Sequence, residues 1–150
     1  MPLLEFDEFS SPEKLIAFVK SGDALSFFAK NTDENPLVSE HEDIGETHYI
    51  FSNYAFEYVE NEILQPTIFL FMRKTFDSYV HLFNFIKNDT NIEKIIEKFG
   101  EPDFSRGGLE PLLLDTLDPM IKYYYDEYSI SFEYDNQSII RVSVFEDEYR

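Results

Sequence analysis

Three histidines, His41, His48 and His81, are the side chains best suited to metal binding or acid–base chemistry. Their spacing matches no metal-ligand motif, and because the chain has no cysteine, a structural zinc site would also need carboxylates. A Ser/His/Asp arrangement stays open, but no G-x-S-x-G sequence marks a nucleophilic serine. Gly107-Gly108 is followed by no Lys-Ser/Thr and indicates a turn, not a phosphate-binding loop. We therefore predict no catalytic residues, no metal site and no cofactor.

Carboxylates are the most abundant reactive groups, with 30 Asp and Glu against 12 Lys and Arg. Adjacent pairs such as Glu42-Asp43 arise by chance at this composition, and nothing marks one member as the buried acid that catalysis would need. The 33–46 segment offers oxygen ligands that suit calcium, but it lacks the D-x-D-x-D-G pattern of a calcium loop. The acids therefore indicate a charged surface and not a chemical centre.

The charge is unevenly distributed along the chain. Between Asn31 and Met72 there is no Lys or Arg, whereas nine acids occur, and the formal net charge of the chain is −18. Such a field repels nucleic acids and anionic membranes and attracts basic partners. A simpler interpretation is also open, since a net charge far from zero keeps a protein soluble and monomeric.

Residues 123–128, YYYDEY, place tyrosines beside acids. On a strand, alternate tyrosines point away from the core, and exposed aromatic anchors within steering charge are typical of protein-binding surfaces. Alternatively, these tyrosines cover the core with their hydroxyls in water. Our candidate partner-binding residues combine this strand with the acidic loop: Glu40, Glu42, Asp43, Glu46, Tyr123, Tyr125, Asp126 and Glu127.

A segment that occurs twice organises the chain. Residues 49–71 and residues 125–145 share the triplet F-E-Y, at 56–58 and 132–134, followed by a polar turn and a second β-rich run. Two copies indicate one domain, residues 1–150, made of two related halves at about 10–72 and 88–146.

Helix signals precede the strands of each half. Ser11 and Pro12 mark the start of one helix, and Thr90 with Glu93 forms a capping box for another. Between the first helices and the first strands, residues 31–46 read as a polar loop. The sequence thus predicts an α+β fold: an antiparallel sheet built from two related helix-plus-strands halves, with the helices packed on one face.

The first residues lack the basic region and apolar core of a signal peptide, and the longest apolar run, residues 68–72, is too short to cross a membrane. Together with the lack of cysteine, this predicts a cytoplasmic protein that does not associate with membranes.

The order of motifs resembles a known protein class. The motifs follow one another in this order along the chain: H-Y-I-F-S from His48, F-E-Y, I-F-L-F, a helix ending I-I-E-K-F-G-E-P-D, S-R-G-G and I-K-Y-Y-Y-D-E-Y-S-I-S-F-E-Y-D. Over about residues 46–146 this is similar to bacterial immunity proteins against polymorphic toxins, including those of contact-dependent growth inhibition. The F-G-E-P to hairpin portion is also similar to outer-membrane assembly lipoproteins, from which the chain departs because it has no cysteine to lipidate.

The resemblance implies a non-enzymatic toxin inhibitor that acts in bacterial competition by binding one cognate toxin, and it carries over no active-site residues. The acidity favours a toxin with a basic surface, such as a nuclease domain, with no direct binding of nucleic acid. We expect a monomer or weak dimer. The alternative is a non-enzymatic peptide-binding, ligand-binding or envelope-assembly scaffold module.

Overall fold

A computed structural model describes residues 11–31, 34–51, 56–71, 91–107 and 119–147. Within these ranges the chain is an α+β protein, as predicted, with three α-helices and an eight-stranded antiparallel sheet. The helices are α1 (Pro12–Ser21), α2 (Ala24–Asn31) and α3 (Ile92–Phe99). The strands are β1 (Leu37–His41), β2 (Glu46–Phe51), β3 (Phe56–Asn61), β4 (Thr67–Phe71), β5 (Phe104–Arg106), β6 (Met120–Tyr125), β7 (Tyr128–Asp135) and β8 (Ser138–Glu146).

The strand order β1-β2-β3-β4-β8-β7-β6-β5 reads as two four-stranded meanders joined along their last strands. The repeated triplet occupies matching places, since Phe56 pairs with Leu70 as Phe132 pairs with Val142. Leu70 and Val142 then pair with each other across the junction of β4 and β8. The two related halves predicted from the repeat thus meet at the centre of one sheet.

Aromatic and branched side chains on one face of the sheet form the core with the helices. The ring of Phe28 on α2 lies 5.9 Å from that of Phe51 and 4.1 Å from that of Phe56. On the other half, the ring of Phe99 on α3 lies 5.6 Å from Tyr123 and 5.7 Å from Phe132. Both helical layers therefore pack on the same face of the sheet, as predicted.

The helix ends follow from local sequence. Ser11 caps α1 by accepting a hydrogen bond from the amide of Lys14 at 3.2 Å, and Gly22 ends the helix in the left-handed region. At α3 the cap is Asn91, whose side chain accepts from the amide of Lys94 at 3.0 Å, and not the predicted Thr90. Thr90 itself lies outside the described residues.

The prediction of a loop at residues 31–46 is wrong over the second half of that segment. Residues 37–41 form β1 and pair with β2, and a 3-10 turn (Glu42–Ile44) joins the two strands. The Leu37-Val38 pair is too short to produce a periodic pattern, so β1 depends on the ladder that β2 offers it. Elsewhere, His81 falls outside the described residues, and none of the described helices is long and apolar enough to span a bilayer.

Candidate functional site

A cleft with a volume of about 230 Å³ opens where the turns that join β1 to β2 and β3 to β4 lie side by side. Five of the side chains that line it are glutamates. The lining residues, which we call the acidic cleft, are Glu40, Glu42, Gly45, Glu46, Thr47, Glu60, Asn61 and Glu62. No Lys or Arg is among them, so the cleft concentrates negative charge and fits a cationic group.

Gly45 and Asn61 shape the acidic cleft. Gly45 ends the 3-10 turn with φ at 66°, in the left-handed region that glycine adopts without strain, and its carbonyl accepts from the amide of Glu62 at 3.0 Å. The side-chain carbonyl of Asn61 accepts from the amides of Ile63 at 2.8 Å and Leu64 at 3.0 Å. The side-chain amide of Asn61 donates to Glu46 at 3.1 Å, which links the two turns.

A histidine network lies next to the acidic cleft and shares Glu46 with it. Nδ1 of His48 bonds to Glu57, and its Nε2 lies 2.9 Å from Oε1 of Glu46. The ring of His41 is 4.6 Å from that of His48, and Nε2 of His41 lies 3.1 Å from the hydroxyl of Ser39. Because the carboxylates contact His48 and not His41, these residues do not form the serine–histidine–carboxylate order of a triad.

The same groups do not make a metal centre. Across the described portions of the chain, no three His, Asp or Glu side chains are arranged to hold a metal ion. The carboxylates instead stabilise the protonated form of His48. Burial lowers the pKa of His48, but the hydrogen bonds and charges of Glu57 and Glu46 outweigh it, so that its pKa lies above the ordinary 6.5.

This raised pKa predicts a pH-dependent stability. The folded state binds the His48 proton more tightly than the unfolded chain, so its contribution is complete below the unfolded pKa and is lost as pH rises through the folded pKa. We expect the free energy of unfolding to fall between about pH 6 and pH 8, and the fall to be smaller in His48→Gln. Urea titrations across this range measure it. His41→Gln, at the neighbouring ring, is the matched control, and an unchanged slope in His48→Gln would contradict the assignment.

The structure places the predicted loop residues at the acidic cleft. Glu40, Glu42 and Glu46 line it, while Asp43 is exposed on the adjoining 3-10 turn. The prediction missed Glu60 and Glu62, although both belong to the stretch without Lys or Arg that signalled the charge asymmetry. Only the pairing of β2 with β3 brings them opposite the loop.

The predicted tyrosine strand lies elsewhere and is less exposed than expected. Tyr123 is 5% exposed and its hydroxyl donates to the carbonyl of Gly100 at 2.8 Å, and burial raises its pKa to about 12. Tyr123 is therefore a core residue and not a surface anchor, because β6 turns its odd-numbered side chains towards the helices.

Tyr125 and Asp126 line a second cleft, of about 460 Å³, between α1 and the turn from β6 to β7. Glu13, Lys20 and Tyr124 are among its other lining residues. The exposed Glu127 beside it lies 3.6 Å from Lys20. Five strands separate β6 from β1, which at the usual strand spacing is roughly 29 Å. The predicted residues that reach the surface thus lie in two separate regions of the sheet and do not form one continuous surface.

No protein-family model, no curated protein and no solved structure matches the chain. The charges and exposed side chains around the two clefts are therefore the features from which a function can be inferred.

Proposed function

We propose that this protein is a non-enzymatic inhibitor that binds a basic protein toxin through the acidic cleft and protects the cell that makes it. The observation that carries the proposal is the combination of five glutamates in one cleft with two exposed isoleucines beside it. The cleft attracts a cationic partner, and the isoleucines supply apolar surface that only a partner would cover.

The isoleucines lie on the two turns that frame the cleft. Ile44 ends the 3-10 turn and is 56% exposed, and Ile63 follows Glu62 and is 88% exposed. Burying one such side chain in an interface contributes about 1.5–3 kcal/mol, whereas exposing it in the free protein contributes nothing to folding. Apolar anchors surrounded by charge are the usual anatomy of a protein interface.

A nuclease toxin fits this surface because an enzyme that binds nucleic acid needs a basic cleft, which an acidic protein can complement. The same charge disfavours direct binding of nucleic acid by this chain. The resemblance to immunity proteins supports the toxin as partner, and neutralising a toxin inside the producing cell implies a cytoplasmic location. On this proposal the protein has no catalytic residues and acts as a monomer or weak dimer.

The direct test is co-expression with the neighbouring open reading frame. We expect that frame to encode a toxin whose C-terminal module stops growth alone, and the two proteins to restore growth and co-purify when produced together. A housekeeping neighbour with no growth effect, or a toxin that this protein neither binds nor neutralises, would overturn the proposal.

Charge reversal locates the interface. Glu42→Lys with Glu60→Lys should weaken toxin binding by about tenfold or more, because two attractions become repulsions. The matched control, Asp126→Lys with Glu127→Lys, changes charge equally at the other cleft and should bind like wild type. The substitutions at Glu42, Glu60 and Glu127 should each stay within about 0.5 kcal/mol of wild-type stability because these carboxylates are exposed, whereas Asp126→Lys should cost more, since Asp126 has φ at 51° in the left-handed region. Calorimetry measures the affinities, and equal losses in both pairs would assign the effect to net charge.

Salt should act mainly on association. Raising ionic strength from about 0.05 to 0.5 M should slow the association rate by about tenfold, while the dissociation rate changes less, because salt screens long-range attraction more than short-range contacts. Stopped-flow mixing with the toxin measures both rates. A salt-independent association rate would show that the acidic cleft does not steer the partner.

The second cleft favours the alternative function, a peptide-binding, ligand-binding or envelope-assembly scaffold module. Its volume of about 460 Å³ and its lining by Tyr124, Tyr125 and Lys20 suit a peptide side chain. Capture of a peptide or envelope component by the purified protein, with no protection against any toxin, would favour this function. Loss of that capture in Tyr125→Ala would place it at this cleft.

A further inference from the structure

Strand β1 lies at one edge of the sheet that the structure describes. Among the described residues it pairs only with β2, in a continuous register over its five residues. Leu37 is 66% exposed and Val38 is 57% exposed, although they point to opposite faces of the sheet. In an antiparallel pair only alternate residues bond to the neighbour, so about half of the backbone N–H and C=O groups of β1 point away from β2.

The other edge of the sheet is different. Strand β5 has three residues and ends at Arg106, and short length and positive charge are two common ways of blocking an edge against pairing. Strand β1 has no Lys, Arg or internal Pro, and its register contains no bulge. An unprotected edge with exposed apolar side chains is a template on which another strand can add.

We propose that the partner adds an extended segment of alternating apolar and basic residues to the free edge of β1. Its apolar side chains lie beside Leu37 on one face of the sheet, and its basic side chains lie on the opposite face, where one of them reaches the acidic cleft next to Glu40. This inference rests on the proposed function and names the form of the partner at that site. Backbone hydrogen bonds supply affinity in this mode, and alternate side chains supply specificity.

Charge selects this occupant over a second copy of the chain. Antiparallel pairing of two β1 strands would join two proteins that each carry a formal net charge of −18. The sheet formed in this way would hold two acidic clefts. Like charges on neighbouring strands destabilise a sheet. The same repulsion explains how an unprotected edge is compatible with a monomeric protein, because it opposes self-pairing while leaving the edge open to a basic strand.

The test uses the full-length protein and two synthetic peptides. One is a capped ten-residue peptide of alternating valine and lysine, and the other is the same peptide N-methylated at every residue, so that it has no backbone N–H on either edge. The two share charge and side chains, but the methylated peptide cannot form a continuous ladder. Hydrogen exchange of the β1 amides, read by NMR, reports strand addition directly. We expect the unmodified peptide to slow exchange of the edge-facing amides by about tenfold or more and the methylated peptide to leave them unchanged.

Variants place the binding. Val38→Lys puts a blocking charge on the open edge and should abolish peptide protection, whereas Ser105→Lys, on exposed β5, should preserve it. The double variant Glu42→Lys with Glu60→Lys should weaken the binding of both peptides. This result tests the acidic cleft of the proposed function separately from strand addition.

The outcomes divide cleanly. Equal binding of both peptides, with the β1 amides unprotected, overturns strand addition but leaves the acidic cleft as a site for cations. If the β1 amides are protected from exchange without peptide and the protein has the mass of a dimer, a second copy of the chain occupies the edge, and strand addition by the partner is overturned. No protection by millimolar unmodified peptide also overturns it. If Glu42→Lys with Glu60→Lys loses toxin binding and Val38→Lys keeps it, strand addition is contradicted while the proposed function stands.

Discussion

Phe132→Ala is expected to lower the free energy of unfolding by about 3–5 kcal/mol. Phe132 is 1% exposed, and its ring lies 5.7 Å from that of Phe99 and 6.1 Å from that of Tyr123. Removing it leaves a cavity between α3 and the sheet that neighbouring rings fill only in part. The cost therefore combines lost burial with the free energy of the cavity.

Urea unfolding monitored by circular dichroism measures this effect. Phe56→Ala is the matched variant, because Phe56 holds the corresponding place in the first half, is 1% exposed and packs its ring 4.1 Å from that of Phe28. It should cost a similar amount. Ile63→Ala, at an 88% exposed side chain, should stay within about 0.5 kcal/mol. A loss below about 1 kcal/mol in Phe132→Ala would show that the α3 layer does not pack as described.

Asp147→Ala is expected to destabilise the protein by about 3–5 kcal/mol, because it leaves a buried cation without its partner. Nζ of Lys122 lies 2.6 Å from Oδ2 of Asp147, and these side chains are only 11% and 3% exposed. The hydroxyl of Ser129 donates to the same oxygen at 3.1 Å. The ammonium also lies 5.0 Å from the centre of the Phe104 ring and 5.8 Å from that of Phe145.

The control for this pair is a second substitution. Lys122→Met in the Asp147→Ala background removes the unpaired charge and should restore much of the lost stability, since a buried ion pair can be replaced by apolar groups at little cost. Glu127→Ala breaks the ion pair between Glu127 and Lys20. The Glu127 side chain is 72% exposed, so this change should cost less than about 1 kcal/mol. If Asp147→Ala is no worse than Glu127→Ala, the Lys122 pair is solvated.

Local sequence signals determined much of the fold. The apolar spacing of Ile92, Ile95 and Phe99 gives α3. The polar turn predicted after the second F-E-Y triplet lies between β7 and β8, where Asn136 and Gln137 are both at positive φ. The F-E-Y repeat indicated two related halves, because the same short pattern builds the same hairpin twice. These features depend on residues close together in the chain, so the sequence alone predicts them.

Features that depend on pairing between strands far apart in the sequence could not be predicted from local sequence. Pairing of β4 with β8 joins the halves, and it alone places the acidic loop and the tyrosine strand in separate regions of the sheet. Strand β1 exists because β2 offers it a ladder, and the same ladders bring Glu60 to the acidic cleft.

The sequence by itself determined the fold class, the repeat and the excess of negative charge, since composition and short-range periodicity carry them. Only the tertiary structure decided which acids share a cleft, that Tyr123 is buried and that Lys122 pairs with Asp147 beneath aromatic rings. The physical reason is the alternation of side chains across a sheet. A residue's neighbours depend on strand register, which long-range hydrogen bonding fixes and local sequence does not.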